Sequence, residues 1–175
     1  MRCLCADSWK WLLLLLVICS PSTLIAATKS ASIGVSAEVL PACSAGSTVP
    51  ATLGQFGTLD FGTHRSLTTI VSIGSTVGNG SLRVNCLLNT PYKVLLSAGN
   101  SGNVSARRML GPASAQVAYN LYTSATYATV WDNTNGVSGT GTGADQYLQV
   151  FGRVPVQATP ASGTYTDTIT VTVSW

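Results

Sequence analysis

The sequence predicts an all-β fold, a sandwich or barrel built from many short strands. Two observations predict it. Apolar residues recur at spacing two in run after run, the period of a strand with one buried face. The segments between the runs are rich in Gly, Ser, Thr and Asn, the residues of tight turns, with no heptads and no internal repeat.

The first 27 residues stand apart. Arg2 and Lys10 give a basic start, Trp11 to Ile18 is apolar, Pro21 and Ser22 break the run, and Ala26 and Ala27 are small. This reads as a secretory signal peptide over 1–27, since spanning a bilayer takes about 20 apolar residues. Ile25 makes the cleavage site weak. Cys19 raises a lipid-modified start, against which Ile18 argues. The remainder has the length of one domain.

The elements follow in order. Ser32 to Val39 places Ile33, Val35, Ala37 and Val39 on one face, and Pro41 stops it. Leu53 to Gly62 carries Phe56, Leu59 and Phe61, broken by glycines. Ser81 to Leu88 groups Leu82, Val84 and Cys86. Asn89-Thr90-Pro91 turns the chain into a further strand, Tyr92 to Ser97, and the pair is expected to form a hairpin. Gln116 to Thr123, Tyr127 to Trp131 and Tyr147 to Val154 come next, with Gly139 to Gly143 as a flexible hairpin tip. Tyr165 fits either a corner tied through its hydroxyl, as in immunoglobulin-like sandwiches, or a half-buried ring packed on its neighbours.

In the last strand Thr168, Thr170, Thr172 and Ser174 alternate with Ile169, Val171, Val173 and Trp175. No later residue pairs or covers its outer edge, and soluble domains blunt such edges. The expectation is that a strand from another molecule fills the gap. Charged residues are 9% of the chain, against about 25% in ordinary soluble domains, so much of the surface is expected to be covered by neighbours. The net charge of +3, without a basic block, excludes a nucleic-acid binder.

Of five cysteines, Cys3, Cys5 and Cys19 leave with the signal. Cys43 and Cys86 remain, and in an exported chain they read as one disulfide, the alternative being two free buried thiols. Closing that loop contributes about 4 kcal/mol in the entropy model.

No catalytic constellation, metal set, cofactor motif or small-molecule substrate site is legible. His64 is the only histidine, and an exposed turn residue is the expectation for it. A triad with Asp60 lacks a marked serine, and the metal-ligand spacings are missing. Gly139 to Gly143 has no phosphate-loop lysine. Arg107 and Arg108 fit an anion site, a solvated loop or a contact between subunits. Asn79-Gly80-Ser81 and Asn103-Val104-Ser105 fit glycosylation acceptors, a pattern that also arises by chance.

Several blocks together resemble the spore coat protein U domain, the subunit family of archaic (Csu-type) chaperone–usher pili. They are Phe56-Gly57-Thr58 with Asp60, Val84-Asn85-Cys86, Pro91 to Val94, Leu96 to Gly99, Arg107 to Met109, Tyr119 to Tyr122, Val130-Trp131, Val150 to Pro155 and Gly163 to Thr168. The resemblance implies an incomplete immunoglobulin-like β-sandwich lacking its final strand, over 41–175, completed by donor-strand complementation. It implies an N-terminal arm, 28–40, whose Ile33, Val35, Ala37 and Val39 enter a neighbour. The acceptor edge would be Ile169, Val171, Val173 and Trp175. It implies as partners identical or related subunits, a periplasmic chaperone and an outer-membrane usher, with export to the surface of a Gram-negative cell for attachment and biofilm. The same arm also reads as the chain's own first strand, pairing with the last. A spore or surface coat component, a tip adhesin and a secreted hydrolase resting on His64 are the other readings.

Overall fold

The structure is a computed structural model that describes residues 34–37, 42–46 and 56–175. The chain divides into two units, Met1–Glu38 and Val39–Trp175. All strands of the described residues belong to the second. They are β1 (Cys43–Ala45), β2 (Val71–Gly74), β3 (Leu82–Cys86), β4 (Pro91–Leu96), β5 (Arg108–Leu110) and β6 (Gln116–Ala118), then β7 (Asn120–Tyr122), β8 (Val137–Thr140), β9 (Asp145–Leu148), β10 (Phe151–Val154) and β11 (Val171–Ser174). They pair antiparallel in the orders β1-β3-β9, β2-β10-β7, β11-β4-β8 and β5-β6. The fold class is all-β, as the period-two pattern requires.

The sheets share one core. Leu82, Val84 and Cys86 of β3 enter it, with Tyr92, Val94 and Leu96 of β4. Val117, Tyr119, Leu121, Trp131 and Val154 complete its centre. Each large apolar side chain contributes about 1.5–3 kcal/mol by leaving water. Cys43 and Cys86 sit opposite each other on β1 and β3 and form the disulfide, S–S 2.04 Å.

The expected hairpin of residues 81–88 and 92–97 does not form. β3 pairs with β1 and β9, whereas β4 pairs with β11 and β8, so the turn carries the chain from one sheet to another. Asn89 takes a positive φ of 65°, and Thr90 N–H donates to the Leu87 carbonyl at 3.0 Å. The glycine-rich segment at 139–143 makes a second crossing, from β8 to β9, and is not a flexible tip. Asn89 N–H donates to the Gly141 carbonyl at 2.9 Å, Gly141 N–H to that of Thr90 at 2.8 Å, and Gly143 N–H to that of Cys86 at 3.0 Å. Any side chain at Gly141 would run into the Leu87 carbonyl and Cys86. The two crossings brace each other.

Other boundaries shift. Residues 56–62 form no strand, because Gly57 and Gly62 take positive φ values of 93° and 82°, yet Leu59 and Phe61 still pack on the core. Residues 53–55 lie outside the described residues. Gln116 to Thr123 is two strands broken at Tyr119. Tyr127 to Trp131 has only one bridge, Tyr122 to Val130, since Tyr127 turns with φ 54°. Tyr147 to Val154 spans the end of β9 and all of β10, which lie in different sheets. Strands β1, β2, β5 and β8 lie outside the segments in which the sequence predicts strands. The Tyr165 hydroxyl donates to the Ala161 carbonyl at 2.7 Å while its ring packs against the core, so both expectations for it hold.

Candidate functional site

β11 is the first strand in the order β11-β4-β8, and its other side carries no strand among the described residues. Val171 stands opposite Leu96, and Val173 opposite Val94. The central strand is closed, with Val94 at 0% and Leu96 at 1% exposure. Ile169, Val171 and Val173 pack against the same core but remain half-buried. Core cover therefore fades from β4 to β11. Trp175 lies one residue past β11 and is 58% exposed.

Of the alternating N-terminal arm, Gly34 to Ala37 are described, and they form no strand. Val35 and Ala37 are exposed there. Ile33 and Val39 lie outside the described residues, as does the whole of 1–27.

The approach to β11 is anchored before the strand begins. Leu110 and Thr166 exchange backbone bonds at 2.8 and 2.9 Å. Asp167 accepts from Tyr119 Oη at 2.6 Å, from Asn100 N–H at 2.8 Å and from Thr168 N–H at 2.8 Å. Thr170 N–H donates to Ser97 Oγ at 2.8 Å, and Ser97 N–H to the Thr170 carbonyl at 2.9 Å. Burial, reinforced by the bond to Asp167, pushes the Tyr119 phenol far above its usual range, so it stays a donor.

Arg107 ties this anchor to the core and corrects the reading of Arg107 as a loop, anion-site or subunit-contact residue. It is 0% exposed. Its Nε donates to the Ser97 carbonyl at 2.9 Å and its Nη1 to Asn120 Oδ1 at 2.7 Å. Its Nη2 donates to the carbonyls of Leu96 at 3.2 Å and Trp131 at 2.7 Å. Burial lowers its pKa, while Tyr119 and the carboxylates of Asp167 and Asp132 pull the other way. Arg108, its neighbour, points outward. That is the alternation of an extended chain, and it was the available signal: one arginine of the pair had to face in.

Asp132 closes the loop that follows Trp131. Its carboxylate accepts from the N–H groups of Gly136, Thr134 and Asn135 at 3.0, 3.0 and 2.7 Å, and from Asn135 Nδ2 at 3.0 Å. These donors, Gly136 first, lower its pKa to about 2. A depressed folded pKa means that the contribution is complete above the unfolded value near 3.9 and is lost as pH falls through the folded one. Melting temperature is expected to fall between about pH 4 and pH 2, more steeply in the native chain than in Asp132→Asn. Equal slopes in a thermal melt series would refute this.

His64 is an exposed turn residue whose Nε2 donates to the Phe61 carbonyl at 2.7 Å, and Asp60 accepts instead from Gly62 N–H at 2.8 Å. Among the described residues no three His, Cys, Asp or Glu side chains gather.

The described residues thus form an all-β core with one strand edge left half-covered, tied by the Cys43–Cys86 disulfide. The Spore Coat Protein U domain matches residues 29–172. The chain belongs to that family. Protein U of Myxococcus xanthus, a relative of this spore coat protein U domain chain, is 36% identical over 170 residues and covers 91% of each chain. A similar solved structure is the chaperone–tip adhesion subunit pre-assembly complex CsuC–CsuE, from archaic chaperone-usher Csu pili of Acinetobacter baumannii. It is 26% identical with a TM-score of 0.49 over 78% of this chain, which spans 40% of the solved chain's length. The family expected from the residue blocks is borne out by the match over 29–172.

Proposed function

We propose that this spore coat protein U domain chain is a structural, non-enzymatic subunit of a chaperone–usher pilus that polymerises by donor-strand exchange. The single observation that carries the reading is the edge of β11. Ile169, Val171 and Val173 face the core yet stay half-buried, and the strand's outer side is unpaired among the described residues. The arm at 28–40 has the complementary pattern, with Ile33, Val35, Ala37 and Val39 at spacing two. Burying Ile33, Val35 and Val39 in a neighbour contributes about 1.5–3 kcal/mol each, and each main-chain bond about 0.5–1.5 kcal/mol. Eight residues suffice for a very long-lived contact. Donor and acceptor surfaces differ, so the contact is heterologous and generates an open fibre.

In this reading a periplasmic chaperone first lends a strand to the edge, and at the outer-membrane usher the arm of the next subunit replaces it. The product is a surface fibre of a Gram-negative cell that supports attachment and biofilm. A coat component is the second reading, favoured by the family's own description. Electrophoresis of an unheated cell-surface extract tests the proposal. A ladder that collapses to one band on boiling is expected. A single band without heating, together with a purified monomer indifferent to added donor peptide, overturns it.

A further inference from the structure

We propose that the face carrying Arg108 and Arg153 is a binding groove for a carboxylated polysaccharide, separate from the β11 edge. Two hollows of about 320 and 270 Å³ adjoin there, and Arg108 lines both. Asn100, Asn103 and Gln116 line the first, Tyr122 and Arg153 the second. Both cations line the second hollow. Arg108 stands opposite Ala118 on β6, and Arg153 opposite Asn120 on β7, so the arginines flank one short run of chain.

Neither has a carboxylate partner among the described residues, where the one ion pair is Arg83 with Asp145 at 2.7 Å. Arg108 Nη1 donates to the side-chain carbonyl of Gln116 at 2.8 Å. The Arg153 guanidinium lies 3.6 Å over the Tyr127 ring, and its Nε reaches Ser72 Oγ at 3.3 Å. Arg107, which also borders the second hollow, spends its donors on neutral acceptors. Asp167, bonded to Tyr119, is committed to N–H and O–H donors. The groove therefore holds positive charge that no acidic side chain neutralises by contact.

The rest of the lining selects the class of ligand. Guanidinium forks match carboxylates in a bidentate way. Carboxamides of Asn100, Asn103 and Gln116 both donate and accept, as sugar hydroxyls require. An open double hollow suits a polymer more than a lone ion. A chain with a net charge of +3 is too weakly basic for nucleic acid.

The test uses the full exported chain in its assembled form, on immobilised polygalacturonate, with neutral dextran and polyglutamate as comparison surfaces. Saturable binding to polygalacturonate is expected, weakening with salt and absent on dextran. Arg108→Gln and Arg153→Gln should each weaken it about tenfold, while Arg65→Gln, an exposed cation outside the hollows, leaves it unchanged. Circular dichroism checks each variant's fold, and if Arg153→Gln misfolds, Arg108→Gln carries the test. No binding by the native chain, or an equal loss with Arg65→Gln, overturns the groove. Binding to polyglutamate as tight as to polygalacturonate overturns the sugar class in favour of an acidic peptide.

Discussion

Replacing Arg107 by alanine is expected to destabilise the domain by about 3–5 kcal/mol, a large share of what a typical domain has in total. The change strands the carbonyls of Leu96, Ser97 and Trp131 and leaves Asn120 Oδ1 with the Leu121 N–H alone. Each orphaned acceptor costs about 1–3 kcal/mol, partly offset because a buried cation no longer has to be desolvated. Lysine should recover only part, because a point charge cannot reach acceptors arrayed for a planar fork. Arg108→Ala, one residue on and exposed, is expected to stay within about 0.5 kcal/mol of the native chain. Urea denaturation of the three variants decides the matter. An Arg107→Ala midpoint matching that of Arg108→Ala would refute the assignment.

The second large effect concerns assembly. Deleting residues 28–40 is expected to abolish polymers while leaving a chain that folds and binds chaperone. A graded version replaces Val35 by Asp. If the arm is the donor, a carboxylate at this position removes about 1.5–3 kcal/mol of burial and adds a desolvation cost, so the ladder should shorten or vanish. The readout is electrophoresis without heating, beside a co-purification with the chaperone. If the truncated chain still forms fibres, the arm is not the donor.

The strands with the cleanest alternation were legible in the sequence. Leu82, Val84 and Cys86 face the core, as do Tyr92, Val94 and Leu96. Their partnership was not legible. Two strands that face each other across a core show the same alternation as two strands side by side, and Asn89-Thr90-Pro91 announces a turn without naming the sheet it leads to. Phe56, Leu59 and Phe61 misled in the opposite way. They supply core contacts from a segment whose glycines prevent a ladder, so burial was right and the element was wrong. Arg107 escaped because charge ordinarily means surface. The closing alternation marks a strand, which the structure confines to Val171–Ser174, with Ile169 and Trp175 outside it, and pairs with β4.

The position of the disulfide has a mechanical consequence. If neighbours hold this molecule by its leading segment, a pull on a fibre enters the domain at Cys43. β1 is three residues long and would peel readily from the sheet. The sulfur bridge instead hands the load across to Cys86, beside Val84, both at 0% exposure. The stretch between the two cysteines is bypassed and bears no tension. Reduced fibres should therefore extend at lower force than oxidised ones, by roughly the length of that released loop.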